Sequence, residues 1–446
     1  MQPVAKPAAF VAEPSPERIS MPRSLLLIPI LFAAACSSPG SNAQQPAGTA
    51  GTPTPLPVPS GTPAPLPAGV PFTAVRVADF DAPFALAFLP DGAALVTEKA
   101  GQLQYWEVGQ KAQAVNGVPK VAAGGQGGLL DVAPAPDFAS SNTIYFTYSE
   151  PRANGSALAL ARAKLTRGKA MAPRLDNVEV LFRSGADGDG GQFGAVIAFA
   201  PDGKSLFLSS GERQRFTPAQ DPNQAIGKIL HLTLDGKPAS DNPDAGKVGA
   251  TTVQVIDPPE DTEAAKTAKG RPFAFDGPNP APASIWSSGH RNPYGLVFDA
   301  SGNLWEHEMG PQGGDELNLI LRGRNYGWPN VSFGENYNNK PIPKPKAGDG
   351  YELPKLYWVP SISPSGLIYY TGSEFPQWKG SLLMGAMSGQ ALIRIALDGT
   401  NARKADQWNL DMRIRDVAQA PDGSLWLLQD GAKGDGGWLM RISPKK

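Results

Sequence analysis

One local pattern recurs along this chain and limits what it can become. A turn marked by proline, aspartate or glycine is followed at once by a short apolar or aromatic run. Phe88-Leu89-Pro90-Asp91-Gly92 leads into Ala94-Leu95-Val96-Thr97, and Pro136-Asp137-Phe138 leads into Ile144-Tyr145-Phe146-Thr147-Tyr148. Pro201-Asp202-Gly203 precedes Leu206-Phe207-Leu208, and Asp299-Ala300-Ser301-Gly302 precedes Leu304-Trp305. Phe375-Pro376-Gln377-Trp378-Lys379-Gly380 opens Leu382-Leu383-Met384, and Pro421-Asp422-Gly423 opens Leu425-Trp426-Leu427-Leu428. Asp-Gly supplies the positive φ that a tight hairpin turn requires, so each mark reads as strand, turn, strand. No sustained helical apolar period competes with that reading.

Six marks across residues 72–446 leave about 60 residues for each, enough for four short antiparallel strands and their loops. The expected fold is all-β: a six-bladed β-propeller of four-stranded antiparallel blades, with a large sandwich as the alternative. The interval between Pro201 and Asp299 is long. Insertions in a propeller gather in loops at one end of the channel, where sites form.

Residues 1–71 read differently. A short basic start at Met21-Pro22-Arg23 precedes an apolar run from Leu25 to Ala35, then Cys36, the only cysteine. That layout is a secretory signal, too short to span a bilayer. Ala33-Ala34-Ala35-Cys36 resembles a bacterial lipobox, in which the cysteine is acylated, so residues 1–36 are expected to be a signal peptide with Met21 as an alternative start. Residues 37–71 are rich in Pro, Ser, Thr, Ala and Gly and bury too little to repay ordering, so they read as an extended tether. The expected protein is exported and held by lipid on the periplasmic or cell-surface side of a bacterial membrane.

Composition excludes several chemistries. Forty Lys+Arg against 41 Asp+Glu give a formal net charge of −1, so no basic footprint points to nucleic acid. One cysteine excludes an internal disulfide framework and a Cys-based zinc or iron–sulfur site, and three histidines leave little for a His-rich one. No nicotinamide fingerprint, phosphate loop or haem-attachment motif occurs.

The chemistry-bearing residues concentrate in Ser288-Gly289-His290-Arg291-Asn292-Pro293-Tyr294-Gly295, then in Glu308-Met309-Gly310-Pro311-Gln312-Gly313-Gly314-Asp315-Glu316. Arg291 beside Asn292 offers a planar cationic fork and an amide, suited to a carboxylated or quinoid ligand. Gly-Pro near Gly-Gly-Asp-Glu lets the backbone turn sharply and aim oxygens outward, the ligand type that calcium takes. Such acids in Gly-rich loops also serve as plain turn residues. Arg413 and Arg415, two apart, lie on one face of a strand.

These stretches resemble the soluble pyrroloquinoline-quinone (PQQ)-dependent sugar dehydrogenases of the glucose, sorbosone and aldose type, which are six-bladed propellers. The likeness covers the whole body after the tether. It extends to Gly125-Gln126-Gly127-Gly128-Leu129-Leu130, Gly227-Lys228-Ile229-Leu230, Tyr357-Trp358 with Pro364-Ser365-Gly366-Leu367, and Arg413-Ile414-Arg415-Asp416-Val417. The resemblance implies that Arg291 and Asn292 hold the polar edge of PQQ and that Arg413 and Arg415 face its carboxylates. It further implies Ca2+ on the main-chain oxygens of Gly310 and Pro311, Gln126 beside substrate and quinone, and Trp358 lining the sugar pocket. In the family, calcium polarises a quinone carbonyl while hydride leaves the anomeric carbon.

Two positions depart from the family. Its general-base histidine matches Gln192 in Gln192-Phe193-Gly194-Ala195-Val196-Ile197, and an amide does not titrate near neutral pH. Its quinone-contacting lysine matches Ser388. Asp187 or Asp189 could fold in as a substitute base, although both read more simply as loop acids. His290 reads as a structural hydrogen-bonding residue and His231 as a strand-surface one, while His307 neighbours the Gly-Pro loop. Two functions follow: a tethered quinoprotein that oxidises an aldose-type sugar to its lactone and passes electrons to an acceptor the sequence does not name, or a sugar- or glycan-binding propeller that has lost the chemistry.

Overall fold

Every turn mark serves the same joint. In the computed structural model, which describes residues 56, 59–168, 171–431, 434 and 436–445, each mark links the innermost strand of a blade to its second strand. The expected signal segment with Cys36, and most of the expected tether, lie outside the described residues. The joints share one hydrogen-bond pattern: Leu89 N–H donates to Ala93 O, Ala200 N–H to Ser205 O, Asp299 N–H to Asn303 O and Ala420 N–H to Ser424 O.

The strands form six four-stranded antiparallel blades, a β-propeller, as expected. The inner strands are Pro83–Phe88, Leu129–Pro134, Gly194–Phe199, Pro293–Phe298, Pro364–Tyr369 and Ile414–Gln419, and each neighbours the next around the ring. They line a central cavity of about 310 Å³. All six carry a β-bulge near their first residues, where pairing to the second strand shifts register. Bulges at a rim end regular pairing and re-aim side chains. Here they mark the end of the channel at which the inner strands start.

The core is not central but divided among the blade interfaces. One apolar cluster lies between the first and second blades, with Leu95, Tyr105, Phe146 and Ala161. Others lie between successive blades, ending with Val96, Trp106, Trp426 and Leu439 between the sixth blade and the first. Since both faces of a blade are covered, second strands such as Ala94–Glu98 and Leu425–Gln429 are buried at every position. This is why they read as unbroken apolar runs rather than as alternating ones.

The sixth blade closes the ring. Its strands Ile414–Gln419, Leu425–Gln429 and Trp438–Pro444 come from the C-terminus, and its fourth, Phe72–Asp79, comes from the start of the body. Thr73 pairs with Ser443 and Val75 with Arg441. The tether was expected to run to Pro71, but Thr62–Ala64 adds a fifth strand to this blade, with Ala64 opposite Ala74. The exposed edge of Phe72–Asp79 offers unpaired amides and carbonyls, and even a polar segment satisfies them. The long interval between Pro201 and Asp299 holds the hairpin Thr252–Ile256/Gly270–Ala274 and the short helix Thr262–Thr267.

Phe72 is fully buried on the closing strand, edge-on to Trp378 at 6.0 Å and to Trp408 at 6.1 Å. Phe72→Ala is expected to cost about 3–5 kcal/mol through the cavity it leaves. Denaturant unfolding followed by tryptophan fluorescence measures this, and an unchanged midpoint would show that the strand is not needed for closure.

Candidate active site

The propeller topology brings two kinds of segment to the bulged end of the channel: the residues just before each inner strand, and the hairpins between second and third strands. Gln126, Gln192, Arg291, Asn292 and Arg413 belong to the first kind, and Gly310, Pro311 and Ser388 to the second. Arg415 is the second residue of its inner strand. Five blades thus deliver to one mouth residues separated by up to 289 positions, Gln126 to Arg415.

A hydrogen-bonded chain joins three blades there. Gln126 Oε1 accepts from Gln192 N–H at 2.8 Å and from the Tyr294 hydroxyl at 3.4 Å. In the orientation its network requires, the Gln192 side chain accepts from Arg291 Nη2 at 2.8 Å and donates to Glu212. Glu212 is buried, and burial pushes its carboxyl up while the Arg291 charge and the Phe216 amide pull it back. The backbone here is unusual. Gln192 and Ala195 have φ of 53° and 84°, and facing them Arg213, Gln214 and Phe216 have φ of 62°, 58° and 62°. Non-glycine residues persist in this region only where the surroundings over-determine them. Buried Arg213 supplies that constraint, donating to the carbonyls of Gly188, Gly190, Gly191 and Ser156 with its guanidinium 3.9 Å from the Phe193 ring centroid.

Arg413 and Arg415 converge on one buried carboxylate. Asp430, fully buried, accepts from Arg413 Nε at 2.7 Å and from Arg415 Nη2 at 2.7 Å and Nε at 3.1 Å. Burial pushes its carboxyl up, but the Arg415 and Arg413 guanidinium groups more than offset this and hold it low. Arg415 also lies over the Phe84 ring, and Phe84 packs edge-on to Tyr294 at 5.7 Å. The two arginines therefore share the mouth with Gln126 and Tyr294 and are not scattered over the exterior.

The Gly310-Pro311 hairpin is buried and braced from both sides. Gly310 N–H donates to Asp315 Oδ1 at 2.9 Å, and Asp315 Oδ2 receives Ser361 Oγ and the amides of Ile362 and Ser363. Ser388, exposed, donates to Ser363 Oγ at 2.8 Å and so joins the same bracket. Arg291 Nη1 donates to Gly310 O at 2.6 Å and to Met309 O at 3.0 Å. A carbonyl has two lone pairs, so a cation on Gly310 O shares that oxygen with Arg291 or displaces it. Trp358 takes a different place from its neighbours. It is buried among Leu317, Ile362 and Met384 with Lys404 Nζ 4.4 Å from its ring centroid, while Tyr357 and Val359 on either side are exposed.

Behind Arg291 lies a buried acidic cluster built from the two chemistry-bearing stretches, His290 from one and Glu308 and Glu316 from the other, with Glu306 and Asn318 beside them. His290 Nδ1 is 3.1 Å from Glu308 Oε1, and Asn318 Nδ2 donates to Glu306 at 3.1 Å. His290, Glu306 and Glu308 bring ligating atoms within 4.8 Å of one another, an arrangement that could hold a metal ion. Burial, reinforced by Glu308, pushes the Glu306 and Glu316 carboxyls well up.

Other expectations need correction. Asp187 is no free base: Arg271 Nη2 holds it at 2.8 Å and Asn154 at 3.1 Å, and despite its burial it lies below the usual carboxylate range. Asp189 is exposed. His231 is buried rather than on a strand surface, stacked on Phe207 at 4.1 Å. His307 Nε2 donates to Ser365 O at 2.9 Å, and burial lowers its pKa to about 4. Glu212 and Asp430 were missed because neither stands in a cofactor motif. The signal for both was an acid ending a buried second strand or opening the next hairpin, visible only once the blades were in register.

The donor set fits a flat, polycarboxylated quinone. Two guanidinium groups are fixed by a single buried carboxylate, and Arg291 Nε and Asn292 Oδ1 are buried without a partner at the mouth. The profile of the family described as Glucose / Sorbosone dehydrogenase matches residues 80–255 and 262–441. Aldose sugar dehydrogenase YliI of Escherichia coli K12 is 36% identical over 375 residues, covering 82% of this chain and 91% of that protein. The apo crystal structure of the soluble E. coli aldose sugar dehydrogenase superposes with a TM-score of 0.72 at 34% identity, covering 84% of this chain and all of the other. The PQQ-bound aldose sugar dehydrogenase of Streptomyces coelicolor gives a TM-score of 0.61 at 27% identity, covering 85% and all of the two chains. With blade count, mouth and sequence in agreement over the whole body, this chain belongs to the glucose/sorbosone dehydrogenase family of soluble PQQ-dependent sugar dehydrogenases.

Proposed function

We propose that the protein oxidises an aldose-type sugar at its anomeric carbon to the lactone, with PQQ in the mouth and calcium at Gly310 and Pro311. The observation that carries this reading is the convergence of Arg291, Asn292, Arg413, Arg415 and Gln126 at one end of the channel. Bound there, the quinone and calcium supply a two-electron oxidant and a Lewis acid. The chain's own residues do the rest. Asp430 orients two guanidinium forks for carboxylates. Gln126 has its Oε1 occupied by Gln192 and Tyr294, which leaves its Nε2 for a ligand. Gln192 cannot hold a proton. It fixes Arg291 instead, and the nearest titrating group along that hydrogen bond is Glu212.

A second reading, a sugar- or glycan-binding propeller without turnover, is favoured by Gln192 and Ser388. One titration separates the two. The purified body with PQQ and calcium is expected to gain a bound-quinone absorbance and, on addition of aldoses, to reduce an artificial dye. Calcium is expected to bind more tightly with quinone present than without it, since Arg291 would then have an anionic partner besides Gly310 O. Uptake without dye reduction would leave the binding module, and no uptake at all would remove the quinoprotein reading.

Gln192→His places an imidazole against Glu212, which can hold the imidazolium. Turnover is expected to rise, up to ~10²–10⁴-fold if the base alone is missing. A stopped-flow rate equal to the wild type would show that another group takes the proton.

We propose further that Cys36 carries a lipid anchor that holds the body on the periplasmic or cell-surface side of the membrane, the motif of Ala33-Ala34-Ala35-Cys36 being its support. Cys36→Ser is expected to move the protein from the membrane pellet to the soluble fraction. Continued sedimentation with membranes would refute the anchor.

A further inference from the structure

Ser388 leaves a gap in the positive charge around the mouth, and the propeller repeat shows what fills it. Ser388 lies in the hairpin between the second and third strands of the fifth blade, Ser381–Ala386 and Ala391–Asp398. The corresponding hairpin of the first blade joins Ala94–Glu98 to Gln102–Trp106, and its first residue is Lys99. We propose that Lys99 supplies the cationic contact to an acidic quinone that Ser388 does not, a role that rests on the quinoprotein reading above.

Three observations place Lys99 at the mouth. Its Nζ donates to Gly125 O at 2.9 Å, next to Gln126. Its main chain packs so closely on Gly128 that a Cβ there would fall 2.2 Å from Lys99 O, so the hairpin lies backbone to backbone against the Gln126 loop. Its charge also acts within the arginine pair: burial and Arg415 lower its proton affinity, while Asp430 raises it. An ammonium has three donors, and the described contacts use one.

Charge balance points the same way. Lys99, Arg413 and Arg415 are all drawn to one buried carboxylate, Asp430, which favours a ligand that brings further carboxylates to that side of the mouth. Other lysines near the ring are committed elsewhere. Lys228 is caged by the carbonyls of Pro218, Ala219 and Ile226, and Lys404 covers Trp358 and donates to Tyr357 O. Lys99 is half-buried and bound to a single carbonyl, so it can turn to a ligand without breaking an ion pair.

The test is PQQ affinity of the full chain, read by absorbance titration in calcium at two ionic strengths, with no turnover involved. Lys99→Gln is expected to weaken binding about tenfold or more and to flatten its salt dependence, since one screened charge contact is lost. Lys99→Arg should stay near the wild type. Ser388→Lys added to Lys99→Gln should restore affinity from two blades away around the mouth, which a merely misfolded variant could not do. Wild-type affinity and salt dependence in Lys99→Gln would overturn the assignment while leaving the quinoprotein reading intact. A wild type that takes up no quinone would overturn both.

Discussion

Closure of the ring is the constraint on which the site depends. No single blade owns the mouth: Gln126 comes from the second blade, Gln192 and Glu212 from the third, Arg291 and Gly310 from the fourth, Ser388 from the fifth, and Arg413, Arg415 and Asp430 from the sixth. Their spacing is fixed only if the sixth blade pairs both with its own C-terminal strands and with Phe72–Asp79. The closing ladder therefore has a functional consequence, since an open ring would let the arginine pair drift from Gln126 and Arg291. Carboxylates inside the channel add to the closure. Asp416 accepts from Leu86 N–H in the first blade at 2.8 Å, and Asp131 accepts from Ile197 N–H in the third at 2.7 Å.

Within that frame the mouth is organised by buried acids that each fix a base. Asp430 fixes Arg413 and Arg415, and Glu212 fixes Gln192 and through it Arg291. A buried ion pair adds little net stability, because desolvation offsets most of the attraction. What it does give is direction: a long guanidinium that would otherwise sample many rotamers is held in one orientation before any ligand arrives. The positive φ values at 192–195 and 213–216 belong to the same economy of position, with backbone strain held in place by the carbonyl cage around Arg213.

The architecture was legible in the sequence because its signals are local. A Pro-Asp-Gly turn and an apolar run of four or five residues are each complete within ten positions, and every such mark proved to be the same joint of a blade. Motifs with Arg291, Asn292, Gly310 and Arg415 were legible for a similar reason. Long-range partners were not. Asp430 and Glu212 acquire meaning only from the arginines that the fold brings to them, and Lys99 only from the equivalence of hairpins in the first and fifth blades. Trp358 shows the limit of motif reading inside a strand: with a side-chain period of two, the indole enters the core while Tyr357 and Val359 face out.

The substitution at 192 changes more than the availability of a base. An imidazole between Arg291 and Glu212 would carry a positive charge when protonated and so compete with Arg291 for the same buried carboxylate. A glutamine amide is neutral at every pH, donating to Glu212 and accepting from Arg291 at once. Arg291 then remains the cation that balances Glu212, and its Nη1 remains on Gly310 O. A cation placed on that oxygen would share it with the guanidinium or displace it, and an anionic ligand at the mouth would favour displacement by offering Arg291 another partner. In that arrangement the neutral amide would link cation binding to ligand binding through Arg291, whereas a protonated imidazole would draw on Glu212 for itself.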